Sequence, residues 1–180
     1  MRLRNALAGP FVDNDGITNR VIRANGGSAG GLLVLTSTPQ ILPLQTLAGV
    51  DTNDLALGLT DPNGWLDVEL NVQIQHDDNG SGTGTEEDGL IFRFNYVNGA
   101  VVTQFASVGI DAFSPDGATV DEIYTLRAFL NVGALGLTLA EQRALALRFT
   151  AEDADNSGNQ GAFRSATRVK VEQFGAYVAP

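Results

Sequence analysis

The chain has 180 residues, 43% of them apolar and none of them cysteine, which suits one domain with its own core and excludes disulfides, thiolate metal sites and cysteine nucleophiles together. Its net charge of −10 is uneven: residues 1–50 carry Arg2, Arg4, Arg20 and Arg23 against Asp13 and Asp15, or +2, while residues 51–180 carry seven basic and nineteen acidic groups, or −12. An acidic body repels phosphate backbones and no stretch approaches the ~20 apolar residues of a membrane span, so neither a nucleic-acid nor a membrane partner is expected.

In chain order, residues 1–50 read as an extended N-terminal arm with short strands. The arm breaks at Gly9-Pro10, Asp13 to Gly16, Gly26 to Gly31, Pro39 and Pro43. Val21, Ile22, Leu32, Leu33, Leu35, Ile41 and Leu42 are too apolar for a free linker and lie in pieces too short to bury themselves, so they are expected at an interface with another chain. Gly26-Gly27-Ser28-Ala29-Gly30 matches GxSxG, but a nucleophile elbow needs a strand before it, a helix after it and a downstream histidine at its side. The chain has one histidine, His76, and no helix pattern follows Gly30, so the segment reads as a glycine turn.

Residues 51–180 read as a β-sandwich. Trp65 to His76 is WLDVELNVQIQH, in which Leu66, Val68, Leu70, Val72 and Ile74 alternate with Asp67, Glu69, Asn71, Gln73 and Gln75. Strict period two over this length predicts one long, half-buried strand. A polar stretch, Asp77 to Gly89, follows as a surface loop. Asp77, Asn79, Ser81, Gly82 and Asp88 occupy positions 1, 3, 5, 6 and 12 of an EF-hand-type loop, so Asp77, Asn79, Ser81 and Asp88 form a candidate Ca²⁺ site. Gly84 at position 8, aspartate in place of glutamate at position 12 and flanking strands depart from that pattern, and a solvated hairpin loop accounts for the same composition. Asp153, Asp155 and Ser157 repeat only its beginning, because position 12 there is Arg164.

Next, LIFRFNYV, Asn98-Gly99 and AVVTQFASV predict a hairpin whose turn residues are Asn98 and Gly99. In EIYTLRAFLNV, Tyr124, Leu126, Ala128, Leu130 and Val132 alternate with Ile123, Thr125, Arg127, Phe129 and Asn131. Thr138 and Glu141 have capping-box spacing, which predicts one helical turn before a strand through Leu145, Leu147 and Phe149. ATRVKVEQFGAYV closes the chain as a last strand. Asp67 and Glu69 are neighbours on one polar face rather than a pair across a cleft, so glycosidase chemistry is not expected. Trp65, Tyr96, Tyr124 and Tyr177 would stack a sugar only if gathered on one face. No acid, base and nucleophile set emerges, and the chain is expected not to be an enzyme.

The long strands, glycine-rich rim loops and closing strand of residues 65–180 resemble the jelly-roll decoration, fibre-base and fibre-head proteins of tailed bacteriophages. That resemblance implies a trimer and a place in the virion. Carbohydrate-binding modules share the same pattern. The resulting expectation is an all-β protein, an antiparallel sandwich or jelly roll (51–180) with an N-terminal arm (1–50), acting without catalysis by assembly with its own copies and other virion proteins. The alternative is a carbohydrate-binding sandwich with a structural Ca²⁺; no other cofactor is expected. Because the acidic body offers phosphates no counterion release, the full chain should leave duplex DNA unshifted in a gel at physiological salt, whereas salt-sensitive micromolar binding would contradict the charge reading.

Overall fold

The computed structural model describes residues 20–22, 32–45, 51–59, 64–77, 86–114, 119–154 and 162–174. These form β1 (Arg20–Ile22), β2 (Leu32–Val34), β3 (Gln40–Ile41), β4 (Leu44–Gln45), β5 (Asp51–Thr52), β6 (Leu55–Ala56), β7 (Trp65–Asp77), β8 (Glu86–Asn98), β9 (Val101–Ser114), β10 (Thr119–Asn131), β11 (Ala146–Asp153) and β12 (Ala162–Phe174), with a 3₁₀ helix at Val132–Leu135 and a short α-helix, α1 (Leu139–Arg143). The first sheet has the order β10-β7-β12-β1-β4-β5, with β2 also on β12, and the second β3-β11-β8-β9, with β6 also on β11. The pairings are antiparallel throughout. Among the long strands the chain changes sheet from β7 to β8, β9 to β10, β10 to β11 and β11 to β12; only β8 to β9 stays within a sheet. This is an all-β sandwich with jelly-roll winding.

The alternation of β7 sets the layer. Leu66, Val68, Leu70, Val72 and Ile74 are all buried, as are Leu126, Ala128 and Leu130 of β10 and Val169 and Val171 of β12. From the second sheet, Leu90, Phe92 and Phe94 of β8 and Leu147, Phe149 and Ala151 of β11 meet them in one core. Burying each of the larger side chains contributes about 1.5–3 kcal/mol. Phe94 and Phe149 stand opposite each other across β8 and β11, ring centroids 5.5 Å apart and nearly perpendicular at 83°. Phe105 adds a second edge-on contact with Phe94, at 6.1 Å. It can do so because Phe94 pairs with Ala106 and Asn95 with Gln104, leaving Phe105 as the extra residue of a bulge.

Two local expectations have different outcomes. Thr138 and Glu141 form the capping box: the Glu141 N–H donates to the Thr138 hydroxyl at 3.3 Å, and the Thr138 N–H donates to Glu141 Oε2 at 2.7 Å. The β8–β9 hairpin forms, but its register is one residue on from the sequence reading. Asn98 pairs with Val101, so the central turn residues are Gly99 and Ala100, and Gly99 takes the positive φ of 58°.

The main correction concerns the arm. Residues 32–45 belong to the sandwich: β2 pairs with β12, β3 with β11, and β4 with β1 and β5. Between Gln40 and Ala56 the chain passes from the second sheet to the first and back, and its short strands cap the outer edge of β11 through Thr150–Ile41 and Leu147–Leu55 pairs. The Leu42 N–H donates to the Phe149 carbonyl at 2.9 Å and the Leu57 N–H to that of Leu145 at 3.0 Å. Leu35 and Leu42, expected at an interface with another chain, are buried in this chain's own core with Leu44, Leu55, Leu57 and Leu59. Two-residue strands carry no readable period, so their burial is decided by the crossing. Leu42→Ala should therefore lower unfolding free energy by about 2–5 kcal/mol in urea denaturation, the range for an enclosed leucine cavity, where a side chain held only by a partner chain would leave it unchanged.

Candidate functional site

Those of the residues singled out from sequence that lie among the described residues are spread over several strands. Asp77 ends β7, its backbone opposite Thr119, and Asp88 stands in β8 opposite Ala112, so these two positions belong to strands of different sheets. Asn79 and Ser81 lie outside the described residues. Among the described residues, no group of three or more metal-binding side chains occurs. Val21 and Ile22 are in β1 and Leu32 is in β2, all backbone-paired with β12. Leu33 is half-buried against the core, and Ile41 keeps 38% of its surface exposed. The GxSxG segment also lies outside the described residues. His76 pairs through its backbone with Val120. Trp65 is exposed, whereas Tyr96 and Tyr124 are half-buried against the core, so these three rings make no common platform; Tyr177 lies outside the described residues.

The outer faces of the two sheets differ in chemistry. On the second sheet, Arg93 pairs with Glu152, Arg148 grips Asp54 with Nε and Nη2 at 2.7 and 2.8 Å, and Asn95 donates to the Arg148 carbonyl at 3.1 Å. Its hydrogen bond to Asp54 raises the pKa of the Arg148 guanidinium above the ordinary value. These pairs hold most of the charge of this face, while Arg93 Nη1 and, on β3, Gln40 Oε1 are buried without a hydrogen-bond partner.

The first sheet presents a mixed face along β7 and β10. Trp65 is 46% exposed, Phe129 56% and Ile123 76%, all on the outward parity of their strands. Between them, Arg127 Nε donates to Asp67 Oδ1 at 2.7 Å and Nη2 bonds the other oxygen, so Asp67 is buried to 4% on an outward face. The same guanidinium lies over the Phe129 ring, 5.3 Å from its centroid. Thr125 donates to Asn71 Oδ1 at 2.6 Å, and Asn71 donates to Glu69 at 3.1 Å. Hydrogen bonding thus fixes Arg127 and, through it, Phe129. The parity of EIYTLRAFLNV is legible in its alternation, and the informative signal within it is two large apolar residues, Ile123 and Phe129, in the set that faces outward.

Two titratable groups are shifted away from this face. Burial, followed by the hydrogen bond it donates to Glu122 and that carboxylate's charge, pushes the Tyr124 phenol well above its ordinary range. Hydrogen bonds from the Thr138 hydroxyl, the Thr138 N–H and the Asn98 side chain lower the Glu141 pKa, tying α1 to the β8–β9 hairpin.

No family model matches the chain, and no curated protein matches it. Among solved structures it is similar to Eiger TNF from S. frugiperda, at 11% identity and TM-score 0.42, over 91% of this chain and 96% of that one. It is also similar to the CBM22-1–GH10 modules of Clostridium thermocellum endo-1,4-β-D-xylanase 10B complexed with xylohexaose, at 13% identity and TM-score 0.27, over 97% of this chain and 29% of that one. A third is the Broad Bean Stain Virus structure, at 10% identity and TM-score 0.24, over 96% of this chain and 93% of that one.

Two outcomes test this geometry. Arg127→Ala leaves the Asp67 carboxylate enclosed without its cation; since Arg127 is itself more than half exposed, solvent screening holds the loss to about 1–2 kcal/mol, and adding Asp67→Asn should restore most of it. For Tyr124 the folded state holds its proton more tightly than the unfolded chain, so its contribution to stability is complete below pH ~10 and declines as pH rises further. Ultraviolet titration should accordingly show that Tyr124→Phe removes a phenol that ionises above the ordinary tyrosine range.

Proposed function

We propose that the protein is a non-enzymatic structural component of a virion, a decoration or fibre-type sandwich that acts by assembling with copies of itself and with other virion proteins. A trimer is the favoured copy number. The observation that carries the reading is the outer face of the first sheet, which leaves Trp65, Ile123 and Phe129 in water. Large apolar side chains grouped beside a long strand edge are what soluble monomers avoid and assembling proteins use. The tailed-phage resemblance supports the virion setting.

A second reading draws on the same face. Trp65 and Phe129 with Asn71, Thr125 and Glu69 could stack and hydrogen-bond a sugar, as in a carbohydrate-binding sandwich carrying a structural Ca²⁺. Ile123 argues against it, because an aliphatic side chain offers a sugar ring no π face.

Particles purified from the cells that make the protein separate the two. Mass spectrometry should recover the chain in the particle fraction at a fixed ratio to the major shell protein. Its absence from particles, together with saturable glycan binding abolished by Trp65→Ala, would replace the first reading by the second.

A further inference from the structure

We infer that the outward face of β7 and β10, centred on Ile123, Arg127 and Phe129, is the surface by which one copy of this chain docks on another. The inference rests on the assembly reading and gives it a place and an occupant.

The sandwich has two long sides, and among the described residues only one is closed. On the closed side, β3 and β6 cover β11, while β4 and β5 extend the first sheet beyond β1. On the other side stand β9 and β10, edge strands of 14 and 13 residues, each paired along one side only. Proteins blunt edges of this length with charge, proline or a covering segment. Among the described side chains of β10, the outward set is Ile123, Thr125, Arg127 and Phe129, whose one charge is already held by Asp67. From Ile123 to Phe129 this stripe runs about 20 Å at ~3.3 Å per residue.

Exposed apolar groups are also concentrated at one end of the molecule. The registers place Trp65 beside Asn131, and Asn98 beside Val101 at the tip of the β8–β9 hairpin. The pairs Asp77–Thr119 and Glu86–Ser114 end the same two ladders on the opposite side. Trp65, Phe129, Val101 and Val102, four of the seven large apolar residues exposed among the described residues, therefore share the hairpin end.

Charge selects the occupant. The chain carries −10, so a second copy is repelled from most of its surface. Positions of the outward parity on β7 and β10 include Asp77 and Asp121 toward one end of the ladder; around Arg127 and Phe129 the charged side chains are Asp67 and Glu69 with Arg127, of which Asp67 and Arg127 cancel in their ion pair. A basic partner would gain more elsewhere on an acidic body; a copy of the same acidic chain gains most where charge is cancelled and apolar area is free. The contents fit this role, since aromatic residues and a pre-oriented arginine dominate the centres of protein interfaces.

The test uses the full chain. Light scattering across a dilution series should give a discrete oligomer for the parent and a monomer for the double variant Ile123→Asp with Phe129→Asp, with the far-UV circular dichroism of the two superimposable because both side chains lie outside the core. Ile41→Asp, at the covered edge, should keep the parent's mass. A parent that assembles while the double variant assembles equally well, or one that Ile41→Asp dissociates, would overturn this surface and leave the assembly reading standing; a parent monomeric at every concentration would overturn both. Should the double variant misfold, Ile123→Cys gives the chain a unique thiol, because it has no other cysteine. Maleimide labelling should slow at least tenfold as concentration rises through assembly, and a rate independent of concentration would overturn the surface.

Discussion

The strand β7 is the constraint on which the rest of the structure depends. Its thirteen residues pair along their full length with β10 and over most of their length with β12, while five buried aliphatic side chains bind the first sheet to the second. A slip of one residue would carry Leu66 to Ile74 into water and Asp67 to Gln73 into the core, so the register is strongly specified. The same choice fixes β10: once Leu126, Ala128 and Leu130 are directed inward, Ile123, Arg127 and Phe129 have nowhere to go but out. Exposure of that apolar pair is thus a consequence of filling the core, and it falls on an edge strand.

The two long sides of the sandwich are finished by different means. Residues 40–45 and 51–57 close one, crossing between the sheets and leaving buried leucines as they pass, with Asp54 clamped by Arg148 on the outside. The other side has no such covering among the described residues. Its polar groups are instead consumed internally, as Arg127 is by Asp67 and Asn71 by Thr125, which leaves apolar surface as the available binding energy.

What the sequence made legible follows from the range over which each feature is determined. The period of β7, the capping box at Thr138 and the existence of the β8–β9 hairpin are local and could be read directly. The hairpin's register could not be settled to the residue, because placing Gly99 second or first in the turn satisfies the same dipeptide; the ladder from Glu86 to Asn98 decides it. Leu35 and Leu42 looked like interface residues because strands of two or three residues show no period, and only the crossing between sheets reveals that they are enclosed. The outward face of β10 was hidden for another reason. Both of its alternating sets contain large apolar residues, and parity alone does not say which set the core will take.

Amide hydrogen exchange across a dilution series measures the central claim most directly, since it reads the closed and the open edge in one experiment. The β11 amides that pair with β3 and β6 should remain protected at every concentration, whereas the outward amides of β10 should exchange quickly in dilute solution and slowly once copies associate. Equal protection of β10 at all concentrations, or protection lost from β11 instead, would contradict a sandwich whose β11 edge is covered by β3 and β6 and whose β10 edge is covered by none of the described strands.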